Sequence, residues 1–241
     1  MNTKRYLCRQ TMKIFAVGMN FRSSESHASE LANGRVATEV CETNYAEHNK
    51  ELHNSLFKTE EPVIFTKADS ALLTNGRPFF IPDFTERCDY ETELVVRICR
   101  LGRSISQRFA HRYYDAVTVG IDFTARDLQE RLRAQGLPWE LSKGFDGSAA
   151  VGRFIAKEAL EHDIQDLHFS LDINGQTVQH GHTADMLRPV DELVSYISRY
   201  FTLKTGDLLF TGTPAGVGPV HENDHLEGWL EGEKVLEFNI K

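Results

Sequence analysis

Apolar and polar positions alternate over short runs through most of the chain, and runs of period two predict strands. Ile14–Val17 and Val63–Phe65 read as short strands. Glu91–Cys99 alternates and is rich in β-branched residues, which predicts a half-buried strand, and Asp115–Phe123 predicts another. Gly206–Phe210 and Lys234–Ile240 read as late strands. Asn75-Gly76 predicts a hairpin between residues 71–73 and 79–81, and Asn174-Gly175 a second between residues 167–173 and 177–179. Helical spacing is rarer. Tyr45, Leu52 and Leu56 suit a short helix over residues 45–57, and a helix is expected over Arg126–Ala134. Val190, Leu193, Val194, Ile197 and Phe201 behind Pro189 predict the clearest amphipathic helix, residues 189–202. Strands outnumber helices without alternating regularly with them, so an α+β, mainly β roll is expected rather than a Rossmann-like or barrel fold.

Neither repeats nor a Pro/Ser-rich linker interrupt the 241 residues, which predicts one catalytic domain. Its expected span is residues 12–241, with residues 1–11 an extension ahead of Met12 and a polar, poorly periodic insertion at about residues 21–43. The formal net charge of −8 argues against broad binding to nucleic acid or anionic lipid and leaves room for a bound cation. No run reaches the roughly 18 apolar residues of a membrane helix, and the basic N-terminus lacks the apolar run of a secretory signal. Cys8, Cys41, Cys88 and Cys99 form no CxxC pair. A reduced, cytoplasmic setting is therefore expected.

The stretch Asp89–Val96 (DYETELVV) carries the most chemistry. On a strand Glu91 and Glu93 project to one side, and two adjacent carboxylates repel unless a cation joins them. Hard oxygen donors favour Mg²⁺, Mn²⁺ or Ca²⁺ over zinc. An exposed strand face is the plain alternative. Asp122 ends an apolar strand, and with it three acids would make an open oxygen-ligand site. Arg126 and Gln129, three apart on the following helix, suit a carboxylate or carbonyl; the alternative is Asp122 as a helix cap and Arg126 paired with Asp127 or Glu130. His48 and Glu51, at i and i+3, form a candidate base with its orienting carboxylate. Lys143, in a glycine-flanked turn, is placed to meet an anion. The loop Thr211–Val220 (TGTPAGVGPV) follows a strand, and its glycines with the hydroxyls of Thr211 and Thr213 could cradle an oxyanion. No Gly-Lys-Ser/Thr makes it a Walker loop.

In this order NYAEH with Glu51, DYETEL, VGIDFTARDLQ, LPWELSKGFD, NGQTVQHGHTADM and LLFTGTPAGVGPV resemble the fumarylacetoacetate hydrolase family, particularly its small members acting on acylpyruvates and oxaloacetate. The resemblance implies a mixed β-sandwich roll, usually a homodimer, binding Mg²⁺ or Mn²⁺ and a small 2-oxo acid. It implies a metal triad of Glu91, Glu93 and Asp122 and a catalytic dyad of His48 and Glu51. Lys143 is implied as catalytic or substrate-binding, and Arg126, Gln129 and Thr213 as substrate contacts. The expected reaction is hydrolytic C–C cleavage of a 2,4-diketo acid through an enolate, with oxaloacetate decarboxylation as a possible activity. Isomerisation or hydration of a 2-hydroxydienoate is the alternative, and an inactive metal-binding member is a further one. The insertion departs from the family pattern. It also carries His27 and Glu30 at the same spacing as the dyad; only His48 and Glu51 keep the Asn-Tyr spacing.

Overall fold

The computed structural model describes residues 12–22, 61–74 and 76–241. The expected helix over residues 45–57, His48 with Glu51, His27 with Glu30, and nearly all of the insertion lie outside them. Phe21, expected to open the insertion, is instead part of the core: it is buried and bridges to Met186.

Three sheets form among the described residues. The largest runs, in spatial order, β2 (Val63–Lys67), β1 (Ile14–Gly18), β12 (Leu208–Phe210), β5 (Thr92–Ile98), β6 (Tyr114–Asp122), β8 (Ala149–Val151) and β3 (Leu72–Leu73), with β9 (Ile155–Ala156) paired to β6. It is mixed: β1 with β12 and β3 with β8 are parallel, and the other pairs antiparallel. The second sheet is β11 (Gln176–His182), β10 (His168–Ile173), β14 (His225–Leu230) and β15 (Glu233–Asn239). The third joins β13 (Gly218–Pro219), β4 (Cys88–Tyr90) and β7 (Thr124–Ala125). Among the described residues the α-helices are α1 (Gln107–Ala110), α2 (Arg126–Ala134), α3 (Glu140–Lys143) and α4 (Val190–Tyr200). None is long and apolar enough to cross a membrane.

Strand β5 is buried on both faces, not half-buried as its alternation suggested. It lies between β12 and β6 in the middle of the large sheet. Leu94 and Val96 pack with Phe15, Val117, Val119 and the apolar stripe of α4, namely Val190, Leu193, Val194 and Ile197. Val95 turns the other way, onto Ile14, Ala16 and Phe210. A second core joins the end of β6 to the four-stranded sheet, through Ile121 and Phe123 against Leu171, Leu226, Leu236 and Phe238.

The Asn174-Gly175 hairpin forms: β10 and β11 pair antiparallel, and both turn residues have positive φ, 53° and 77°, the type I′ requirement. The expected Asn75-Gly76 hairpin does not. Leu72 and Leu73 pair in parallel with Ala149 and Ala150, and Phe79 bridges to Ile240, so the flanking segments join distant strands instead of each other. Helix α2 has the expected bounds, whereas α4 keeps Pro189 as its N-cap and ends at Tyr200.

Candidate active site

Glu91 follows β4, Glu93 is the second residue of β5, and Asp122 is the last of β6. The Asp122 N–H donates to the Glu91 carbonyl at 2.8 Å, which extends the β5–β6 ladder and brings the carboxylates together. One oxygen from each of Glu91, Glu93 and Asp122 lies within 4.8 Å of the others. Glu93 and Asp122 are each 1% exposed.

Three basic side chains pair with this group, and a fourth braces its neighbour Asp89. The Lys143 ammonium, at the end of α3, donates to Glu91 Oε2 at 2.8 Å, Asp122 Oδ2 at 2.9 Å and Thr124 Oγ1 at 2.7 Å. Lys143 is thus buried against the acids, not displayed on a surface turn as its flanking glycines suggested. Lys67, the last residue of β2, reaches Asp122 Oδ1 at 2.6 Å and donates to Ser148 Oγ and to the Lys143 carbonyl. Arg126 donates from Nε to Asp89 Oδ2 and from Nη2 to Glu91 Oε1, both at 2.7 Å, and from Nη1 to Gln129 Oε1. Arg87 braces Asp89 from the other side at 2.9 Å. Arg126 therefore does not pair with Asp127 or Glu130. Asp122 does not cap α2 either, since that helix starts after Ala125 with no side-chain cap.

These charges shift one another. Burial pushes the Glu91 carboxyl up, but the Lys143 ammonium and the Arg126 guanidinium outweigh it and hold it at about 2. Glu93 is pushed well above its ordinary value by burial, then by Asp122 and Glu91 beside it. Lys143 is desolvated, yet Asp122 and Glu91 hold it protonated with a raised pKa. For Lys67 burial prevails over the attraction of Asp122 and lowers it.

Glu93 decides whether a cation fits. Its carboxylate accepts one hydrogen bond, from the Gly212 N–H at 2.6 Å, and pairs with no cation among the described residues. A buried carboxylate flanked by two others and held by one amide is a group that a divalent ion would complete. The donors are all hard oxygens, so the set suits Mg²⁺ or Mn²⁺. Gly212 is needed for this contact: its φ is +98°, and a Cβ there would sit 2.8 Å from that of Asn20.

A cleft of about 270 Å³ opens over Glu91 and Asp122. Gln129, Lys143, Thr213 and Trp139 are among the residues lining it. Because Gln129 Oε1 accepts from Arg126, its NH₂ group is left to face the cleft. The Thr213 hydroxyl donates to the Thr92 carbonyl at 2.9 Å and accepts from Gln179 Nε2 at 2.8 Å, so its hydrogen is already committed. Thr211 is fully buried and donates to the Leu94 carbonyl, so its hydroxyl is no oxyanion donor. What the Gly-rich loop contributes is the Gly212 N–H. Sequence reasoning passed over Lys67, Thr124, Asp89 and Gln179. A lysine closing an apolar strand, as Lys67 does, was the available sign. A second acid-rich group, His225, Glu227 and Glu237, lies on β14 and β15, where Lys234 donates to both carboxylates at 2.8 Å.

The model of the fumarylacetoacetate (FAA) hydrolase C-terminal family matches residues 13–241. The mitochondrial oxaloacetate tautomerase FAHD1 of Mus musculus is 37% identical over 198 residues, which span 82% of this chain and 88% of that protein. Oxaloacetate tautomerase YcgM of Escherichia coli is 37% identical over 201 residues, 83% of this chain and 91% of that protein. Among solved structures, fumarylpyruvate hydrolase from Pseudomonas aeruginosa in complex with Mn²⁺ and pyruvate superposes with a TM-score of 0.77 at 30% identity, covering 95% of this chain and 89% of that one. The motifs, the mixed-sheet fold and the residues matched agree, and the chain belongs to the fumarylacetoacetate hydrolase family.

Proposed function

We propose that this chain is a divalent-metal-dependent enzyme of 2-oxo acid enolate chemistry, with keto–enol tautomerisation of an oxaloacetate-like acid as its reaction. The observation that carries the reading is Glu93, buried beside Glu91 and Asp122 with no cation partner among the described residues, under a cleft walled by Lys143 and Gln129. Glu91, Glu93 and Asp122 would hold the ion, which when bound supplies electrophilic stabilisation of enolate charge.

The chain's own groups do the rest. The Gln129 NH₂, fixed by Arg126, donates to a substrate carboxylate or keto oxygen. Lys143 keeps a proton at Nζ and a positive charge beside the developing enolate. His48, oriented by Glu51, is assigned from the sequence as the base that moves the proton at the carbon next to the keto group. Tautomerisation needs no water as a reactant, so these groups suffice for it.

C–C hydrolysis of an acylpyruvate is the second reading, favoured by the pyruvate in the Pseudomonas aeruginosa structure. It requires His48 to activate water as well. The test follows conversion of enol to keto oxaloacetate, and loss of acetylpyruvate, with Mg²⁺ or Mn²⁺ and with chelator. Metal-dependent conversion of oxaloacetate, lost in Glu93→Gln, is expected. Turnover of acetylpyruvate alone would favour the second reading, and turnover of neither by metal-loaded protein would overturn both.

A further inference from the structure

Helix α2 points three long polar side chains along the cleft: Arg126, Gln129 and Arg133 all line it. At i, i+3 and i+7 they share one helical face, and Arg133 lies about 10 Å along the axis from Arg126. The inner cations are already engaged. Each nitrogen of the Arg126 guanidinium donates one hydrogen bond, to Asp89, Glu91 or Gln129, and the Lys143 ammonium is shared among Glu91, Asp122 and Thr124. Lys67 does not reach the cleft wall.

Arg133 differs from them. It is exposed, and it pairs with no carboxylate among the described residues. Its guanidinium lies 5.9 Å from the ring of Trp139, which lines the same cleft. A cation–π contact with an indole attracts a guanidinium without using its N–H donors. The result is a guanidinium with no carboxylate partner among the described residues on the wall of the cleft, about 10 Å along α2 from Arg126 and the acids.

We propose that Arg133 binds the second carboxylate of the substrate, so that the site selects 2-oxo dicarboxylates over 2-oxo monocarboxylates. This rests on the reading of the cleft as a 2-oxo acid site. One helical turn from Gln129 on the same face of α2, Arg133 is placed to meet the distal carboxylate of a short diacid whose keto acid end lies toward Gln129. Planar bidentate pairing explains why an arginine serves there. No bond is made or broken by Arg133; it acts on binding.

The experiment compares wild type, Arg133→Met, Arg133→Lys and Arg22→Met, the last removing the other exposed arginine on the cleft wall. With Mg²⁺ present, KM and kcat are measured for oxaloacetate and acetylpyruvate, and calorimetry gives the affinities of the unreactive pair 2-oxoglutarate and pyruvate. Arg133→Met should raise KM for oxaloacetate about tenfold at unchanged kcat and weaken 2-oxoglutarate by a similar factor, as expected for one charged hydrogen-bonded contact. Acetylpyruvate and pyruvate should be unaffected, and Arg133→Lys should recover part of the loss. Equal effects on diacid and monoacid, no effect on either, no preference of the wild type for 2-oxoglutarate over pyruvate, or a selective loss in Arg22→Met instead would each overturn the proposal. Should the wild type turn over neither reactive acid, the functional reading fails, while the calorimetric pair still decides the role of Arg133.

Discussion

Lys67 shows how a single buried charge organises this site. Its side chain is fully buried, and its ammonium ties Asp122 Oδ1 to Ser148 and to the backbone of Lys143. Removing the charge leaves Asp122 Oδ1 without its cation while Lys143 still holds Oδ2, and breaking one partner of a buried pair costs up to about 3–5 kcal/mol. Lys67→Met should therefore lose several kcal/mol in chemical denaturation; a loss under about 1 kcal/mol, the scale of an exposed pair, would show that Lys143 alone suffices to hold Asp122. The role of Lys67 was not legible in the sequence, because a lysine's partner across 55 residues of chain depends on how β2 and β6 are placed. Glu91, Glu93 and Asp122 were legible as a group because strand periodicity and a strand end carry their own geometry. Lys143 and Thr213 were found as residues, but the direction of their donors was not. Each turned to an acceptor inside the protein, and neither acceptor is a sequence neighbour.

Helix α2 is the element that joins fold and chemistry. Its buried residues, Leu128, Gln129 and Leu132, set which face meets the cleft, and Asp127 fastens its first turn to the preceding loop. Asp127 accepts from the Thr85 hydroxyl and from the Glu86 N–H at 3.2 Å. Burial pushes its carboxyl up, but Thr85 and the nearby backbone N–H groups outweigh it and hold it below its ordinary 3.8. A carboxyl depressed by folding adds stability above its unfolded value, and that stability is lost as pH falls through the lower folded value. Because Asp127 is exposed and its contacts are screened by water, Asp127→Asn should cost less than about 1 kcal/mol at neutral pH. The gap from wild type should close as pH drops below about 4; a gap independent of pH would contradict this role. The bounds of α2 were readable from its own periodicity. The Asn75-Gly76 segment was not, since its turn chemistry is local while its neighbours pair with β8 and with Ile240, far along the chain.

For the whole molecule, the mainly β class was legible from the excess of short alternating runs, but the double-sided burial of β5 was not. Burial on both faces follows from a central place in a large mixed sheet, which no single strand reveals. This placement holds the acids rigidly: Glu93 is anchored in a strand whose apolar residues lie in two cores. A rigid, preformed acidic site should couple cation binding to folding. Mg²⁺ or Mn²⁺ at a hundred times its Kd should stabilise the protein by about 2.7 kcal/mol, which is about 5–10 °C in Tm for a chain of this size. Glu93→Gln should lose that increment, and an equal increment in the variant would place the ion elsewhere.

The central claim is that Glu91, Glu93 and Asp122 hold one divalent ion in front of a 2-oxo acid. Its most direct test is an anomalous difference map from crystals grown with Mn²⁺ and pyruvate. One strong peak bounded by these three carboxylates is expected, with pyruvate between it and Gln129. No peak there, or a peak only at His225, Glu227 and Glu237, would contradict it.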